Sequence, residues 1–111
     1  MELSAFAKTN TAARLRAAAS RGALSHALIL SGAGDRNAAA HYAAAALECT
    51  GTDKPCLTCA HCRKVLADIH PDVLTVRDDE HAELSVDVIR GVRTDAFIRP
   101  NEGARKVYII P

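Results

Sequence analysis

Cys49, Cys56, Cys59 and Cys62 are all the cysteines in the chain, and they stand within fourteen residues in the pattern C-x6-C-x2-C-x2-C. Two-residue gaps turn neighbouring thiolates toward one centre, and four thiolates at about 2.3 Å complete a tetrahedral zinc ion with no position left open. Such a closed centre holds a fold together and carries out no reaction. It would also order a polar stretch, residues 50–55, without apolar burial, because metal-binding free energy is folding free energy. A thioredoxin-type redox pair would use one C-x-x-C and leave two cysteines unexplained. The bacterial ferredoxin run, C-x2-C-x2-C-x3-C-P, is a different spacing. His61, between the last two cysteines, could replace a ligand, but with four thiolates present it reads as a solvated neighbour.

A second set of residues sits where phosphates are held in other proteins. A short apolar run, residues 26–30, leads into Ser31-Gly32-Ala33-Gly34-Asp35 and then an alanine-rich helix, the order of a strand, a glycine-rich loop and a helix amino terminus. A working loop reads G-x-x-x-x-G-K-[ST]. Counted from Gly32, the second glycine position is Asn37, the lysine position Ala38 and the hydroxyl position Ala39. Without the ammonium the β and γ phosphates lose their cation, and without the hydroxyl Mg²⁺ loses its protein ligand. The loop Gly32, Gly34, Asn37, Ala38, Ala39 is therefore degenerate, and no catalytic residue is assigned. Asp35 beside it opposes even a bare anion. His70 with Pro71 and Asp72 invites a base-and-carboxylate reading, but a histidine at a helix end is commonly a partner for terminal carbonyls. Asp78, Asp79 and Glu80 read as a solvated loop, and Arg63, Lys64, Arg90, Arg93 and Arg99 as helix faces in water.

These sites need elements to position them. The chain has 111 residues, 49% hydrophobic and 24% charged, enough for one modest core and too apolar for general disorder. Fourteen basic against thirteen acidic residues leave a net charge of +1, which disfavours a basic nucleic-acid module. No apolar stretch approaches membrane length and no signal-peptide pattern opens the chain, so a cytoplasmic protein is expected, where four free thiols serve a metal rather than disulfides. Residues 4–20 predict a helix stopped by Gly22, and residues 26–30 a buried strand. Residues 38–49 predict a helix capped by Asn37. Cys62, Val65, Leu66 and Ile69 recur at helical spacing, and His70-Pro71 ends that helix. Residues 73–76 predict a strand, 77–83 a charged connection, and Ser85 caps a helix with Val86, Ile89, Ala96 and Phe97 on one face. Asn101-Glu102-Gly103 makes a turn into a last apolar strand at residues 106–111. Strand, helix, strand, helix, strand is the signature of a parallel α/β sheet.

Taken in order, Leu24-Ser25-His26-Ala27-Leu28-Ile29-Leu30-Ser31-Gly32, the cysteine insert, His70-Pro71-Asp72-Val73-Leu74, Val88-Ile89-Arg90 and Gly103-Ala104-Arg105-Lys106-Val107-Tyr108-Ile109-Ile110 resemble the subunits of the bacterial DNA polymerase III clamp loader. The gamma/tau and delta-prime kinds both carry the zinc module. Gamma/tau keeps an intact phosphate loop, so the degenerate loop is similar to delta-prime. The resemblance implies an α/β fold, part of an AAA+ P-loop-type three-layer sandwich with parallel strands and a four-cysteine zinc module at residues 49–62. It further implies that residues 1–111 are the amino-terminal part of an AAA+ domain, truncated at the third strand, with the Ser-Arg-Cys motif downstream. The implied function is an ATPase-inactive stator that helps load the sliding clamp in DNA replication. The implied partners are gamma/tau and delta subunits, with DNA met only indirectly and self-association through exposed strand edges. The alternatives are a zinc-containing nucleic-acid-binding module and a gamma/tau-like ATP-binding subunit.

Overall fold

The structure, a computed structural model, describes residues 3–24, 26–78, 80 and 83–111, so Ser25 and Asp79 lie outside the described residues. It forms two units, residues 1–70 and residues 71–111.

The first unit is helical. The helix expected over residues 4–20 is two, α1 (Ser4–Ala7) and α2 (Asn10–Ser20). Thr9 makes the break: its Oγ1 donates to Phe6 O at 2.7 Å and accepts from the Ala12 N–H at 3.2 Å, which caps α2 and ends α1. Gly22 stops α2 as expected, at φ +67°, with its N–H on Ala19 O and the Ala23 N–H on Ala18 O. That pair is a Schellman motif, which needs a left-handed residue at this position.

Residues 26–30 do not form the expected strand; Ile29 is 95% exposed and Leu28 43%. A ladder needs a neighbour to exchange hydrogen bonds with, and no described strand pairs with this run. The next helix, α3 (Arg36–Glu48), is capped by Asp35 rather than Asn37: the carboxylate accepts the Ala38 N–H at 2.9 Å. Alanine buries little surface, but it lets a helix be enclosed on several sides. Ala38, Ala39 and Ala43 to Ala46 are all buried, together with His41, Tyr42 and Glu48. Tyr42 meets Phe6 edge-on at 5.2 Å and joins Ala12, Leu15 and Ala43, with Leu3, Leu24 and Leu57 packed around them. A fourth helix, α4 (Ala60–Leu66), buries Cys62 and Val65 and ends in a second Schellman motif at Asp68, φ +61°. Ile69 therefore falls outside the helix and is exposed.

The second unit is one parallel β-α-β. Strand β1 (Val73–Thr75), helix α5 (Val86–Ala96) and strand β2 (Val107–Ile109) follow each other, with Val73 opposite Val107, Leu74 opposite Tyr108 and Thr75 opposite Ile109. Ser85 caps α5 as expected, accepting the Val88 N–H at 3.3 Å. The apolar face expected on α5 exists but is not covered: Val86, Ile89 and Phe97 are 64%, 42% and 85% exposed. Arg90, Arg93 and Arg99 face water, as does Arg63 of the first unit, while Lys64 is half-buried. Among the described residues the sheet is thus two-stranded and parallel.

Asp95 on α5 ties the helix to β2. It receives the Tyr108 hydroxyl at 2.5 Å and pairs with Lys106 Nζ at 3.1 Å. Tyr108 titrates at about 12, raised first by burial and then by Asp95; the bonds from Tyr108 and Lys106 hold Asp95 below the usual carboxylate range. A phenol whose folded pKa is raised contributes stability that is whole below its unfolded value near ~10 and is lost as pH climbs toward the folded one. The second unit should therefore weaken from about pH 10 to about 12. Tyr108→Phe should flatten that decline in urea melts across the alkaline range; an unchanged decline would remove Tyr108 as its cause.

Candidate metal centre

The four cysteine sulfurs converge. Cys49 follows the last turn of α3, Cys56 sits in the loop between helices, Cys59 is the N-cap of α4 and Cys62 lies in its first turn. All four Sγ atoms lie within 4.8 Å of one another, so the pattern read from the sequence is a cluster in space. Cys49 and Cys62 are buried, and Cys56 and Cys59 are half-exposed.

The backbone is wound to serve these sulfurs. Gly51 and Cys56 N–H groups donate to Cys49 Sγ at 3.3 and 3.4 Å. Cys59 N–H donates to Cys56 Sγ at 3.2 Å, and Cys62 N–H to Cys59 Sγ at 3.4 Å. Donors aimed at sulfur favour the thiolate, the form that binds metal. Burial alone would raise Cys59, but bonds from Thr50 and Cys62 outweigh it and bring the thiol down to about 5. Bonds from Thr58 lower Cys56. Cys62, packed at 0% exposure with its sulfur 3.7 Å from Ala45 O, is pushed up by desolvation. A cation bound among the four would offset that cost. The donor set is all sulfur and tetrahedral in number, which fits zinc with no coordination position left over.

Two residues of this centre were not legible as such. Leu57, at φ +64°, turns the chain between Cys56 and Cys59 and packs its side chain on the Tyr42 core, so the knuckle is anchored to the helices. A side chain at Gly51 would crowd the centre: its Cβ would stand 3.2 Å from Cys56 Cβ, 3.4 Å from Cys56 Sγ and 3.5 Å from Cys49 Sγ. The signal was a lone glycine inside the long six-residue gap. Gly51→Val should push these two sulfurs apart and weaken metal binding by about tenfold or more, the scale of a disturbed ligand shell. Competition with a chromogenic chelator measures it, and equal affinity would show that the loop yields freely.

The glycines read as a degenerate phosphate loop precede α3. Gly32 and Gly34 take φ of +109° and +101°, which glycine alone adopts readily, and they are exposed. Asn37 is exposed on the first turn of α3, whereas Ala38 and Ala39 are 0% and 6% exposed. The loop and the cysteines are separate sites at opposite ends of α3.

His61 differs from its expected role. His61 is half-buried rather than solvated, with Nδ1 2.8 Å from His70 Nε2. His70 is 3% exposed, and its Nε2 lies 3.5 Å from Glu48 Oε2.

A family model described as "DNA polymerase III, delta subunit" matches residues 7–111. The chain belongs to that family. The DNA polymerase III delta-subunit match covers both units, from α2 through β2, and so includes the cysteine centre and the loop before α3. Membership makes the chain a clamp-loader-related subunit of the replication machinery, which associates with other subunits of that machinery. No curated protein matches the sequence. No described helix is long and apolar enough to cross a membrane.

Proposed function

We propose that this family member is a delta-prime-type subunit: a cytoplasmic clamp-loader component that does not hydrolyse ATP and serves as a stator, with a structural zinc ion on Cys49, Cys56, Cys59 and Cys62. The single observation that supports it most is the start of α3. There Ala38 and Ala39 stand in place of the lysine and hydroxyl, both buried, and the Asp35 carboxylate occupies the Ala38 N–H that a phosphate would need. A fixed negative charge at that amino terminus opposes a polyphosphate, so the loop binds neither the nucleotide nor its Mg²⁺.

On this reading residues 1–111 are the amino-terminal part of an AAA+ domain, and the zinc module at 49–62 is a rigid insert. The partners are gamma/tau and delta subunits, with DNA reached through them, and free strand edges lead isolated copies to self-associate.

Calorimetric titration with Mg·ATP is expected to show no binding, and mixing the full-length subunit with gamma/tau and delta subunits is expected to give a stable complex. Tight Mg²⁺-dependent ATP binding would favour a gamma/tau-like subunit and sink the inert reading. Salt-sensitive DNA binding without any complex would favour a nucleic-acid module.

A further inference from the structure

A second set of side chains with metal-ligand chemistry lies beside the cysteines, two of the three being sequence neighbours of a cysteine. Glu48 ends α3 beside Cys49, His61 precedes Cys62 in α4, and His70 follows α4. Their ligand atoms all lie within 4.8 Å of one another. His61 Nδ1 is 2.8 Å from His70 Nε2, which is 3.5 Å from Glu48 Oε2. The Glu48 and His70 side chains are fully enclosed, and His61 closes the half-exposed side.

From this geometry we infer a second divalent transition-metal site, formed by the Glu48 carboxylate, His61 Nδ1 and His70 Nε2, distinct from the four-thiolate centre. A tetrahedral ion with bonds of about 2.0–2.1 Å holds its ligand atoms about 3.3 Å apart, and the two measured spacings fall on either side of that value. Two imidazoles and one carboxylate are a donor set for zinc and its late first-row neighbours, not for Mg²⁺ or Ca²⁺. Three protein ligands leave one position for water, reached past His61, so this centre is open where the cysteine centre is closed. A bound cation also neutralises a carboxylate that sits at 2% exposure. The alternation Glu48-Cys49 and His61-Cys62 means that the same turns of backbone set both centres, whatever clamp-loader role the chain has.

The test uses the reduced, untagged chain, stripped of metal and titrated with Co²⁺. Two equivalents are expected. One gives the intense sulfur-to-cobalt charge transfer of a thiolate centre; the other adds only the weaker ligand-field bands of nitrogen and oxygen donors. His61→Ala, at a half-exposed position, should keep the first signal and its circular dichroism while weakening the second site by about 100-fold or more, since even outer-shell changes cost about 10–100-fold. A single equivalent in the parent chain would overturn the inference, leaving the three residues joined by a proton. It would equally be overturned if the second equivalent survived His61→Ala undiminished, or if both signals vanished together.

Discussion

Chelation of the metal, or Cys56→Ser, is expected to lower the stability of the first unit by about 4 kcal/mol or more and to abolish protection of the sulfur-facing amides. The magnitude follows from linkage: a ligand held at about 1,000 times its dissociation constant contributes about 4 kcal/mol to the state that binds it. The apolar core offers little to replace it. Its buried members on α3 are mostly alanines, and a buried methylene-sized group contributes only about 0.8 kcal/mol. The loop at residues 50–58 has no helix or strand of its own. Cys56 is the informative position, because it is half-exposed and its loss makes no cavity, whereas Cys62 is fully enclosed. Hydrogen exchange read residue by residue should show Gly51, Cys56, Cys59 and Cys62 opening, with β1 and β2 of the second unit unchanged. If chelator leaves the unfolding curve and these amides as they were, the four sulfurs are not a structural metal centre.

The cysteine centre was legible because its information is local: spacing along fourteen residues was enough to place four sulfurs together. The β1-α5-β2 order and the Ser85 cap were legible for the same reason, since hydroxyl caps and apolar periodicity act within a turn or two. Thr9 could have been read as a cap, since the weak helix formers Asn10 and Thr11 follow it, but the alanine- and arginine-rich sequence on either side hid the break. Residues 26–30 show the opposite failure. A short apolar run closed by glycines reads as a strand, yet a strand exists only where a partner lies alongside, and that is not written in the run itself. The grouping of Glu48, His61 and His70 joins residues from three places in the chain, each ordinary where it stands. No spacing rule announces it.

Asp72→Ala is expected to destabilise the second unit by about 2–4 kcal/mol, and Asp72→Asn by a smaller but clear amount. Asp72 is 1% exposed, and its two carboxylate oxygens accept three backbone N–H groups: Asn101 at 2.5 Å, Glu102 at 2.8 Å and Gly103 at 2.6 Å. Its own carbonyl accepts the Val107 N–H at 2.8 Å, the first contact of β2 with the residue before β1. A hydrogen bond to a charged group contributes about 1.5–3 kcal/mol, which would overstate the sum here, because Asn101 and Glu102 are exposed and their N–H groups can turn to water. Hence the lower range. The turn expected at residues 101–103 is thus shaped by a side chain about thirty residues earlier, through a link no local rule contains. Asparagine is nearly isosteric but replaces one acceptor with a donor, so its amide would face an N–H it cannot satisfy. Urea melts of the three proteins decide it: if Asp72→Asn matches the parent within about 0.5 kcal/mol, charge is not what holds the turn, and shape alone aligns β2 with β1.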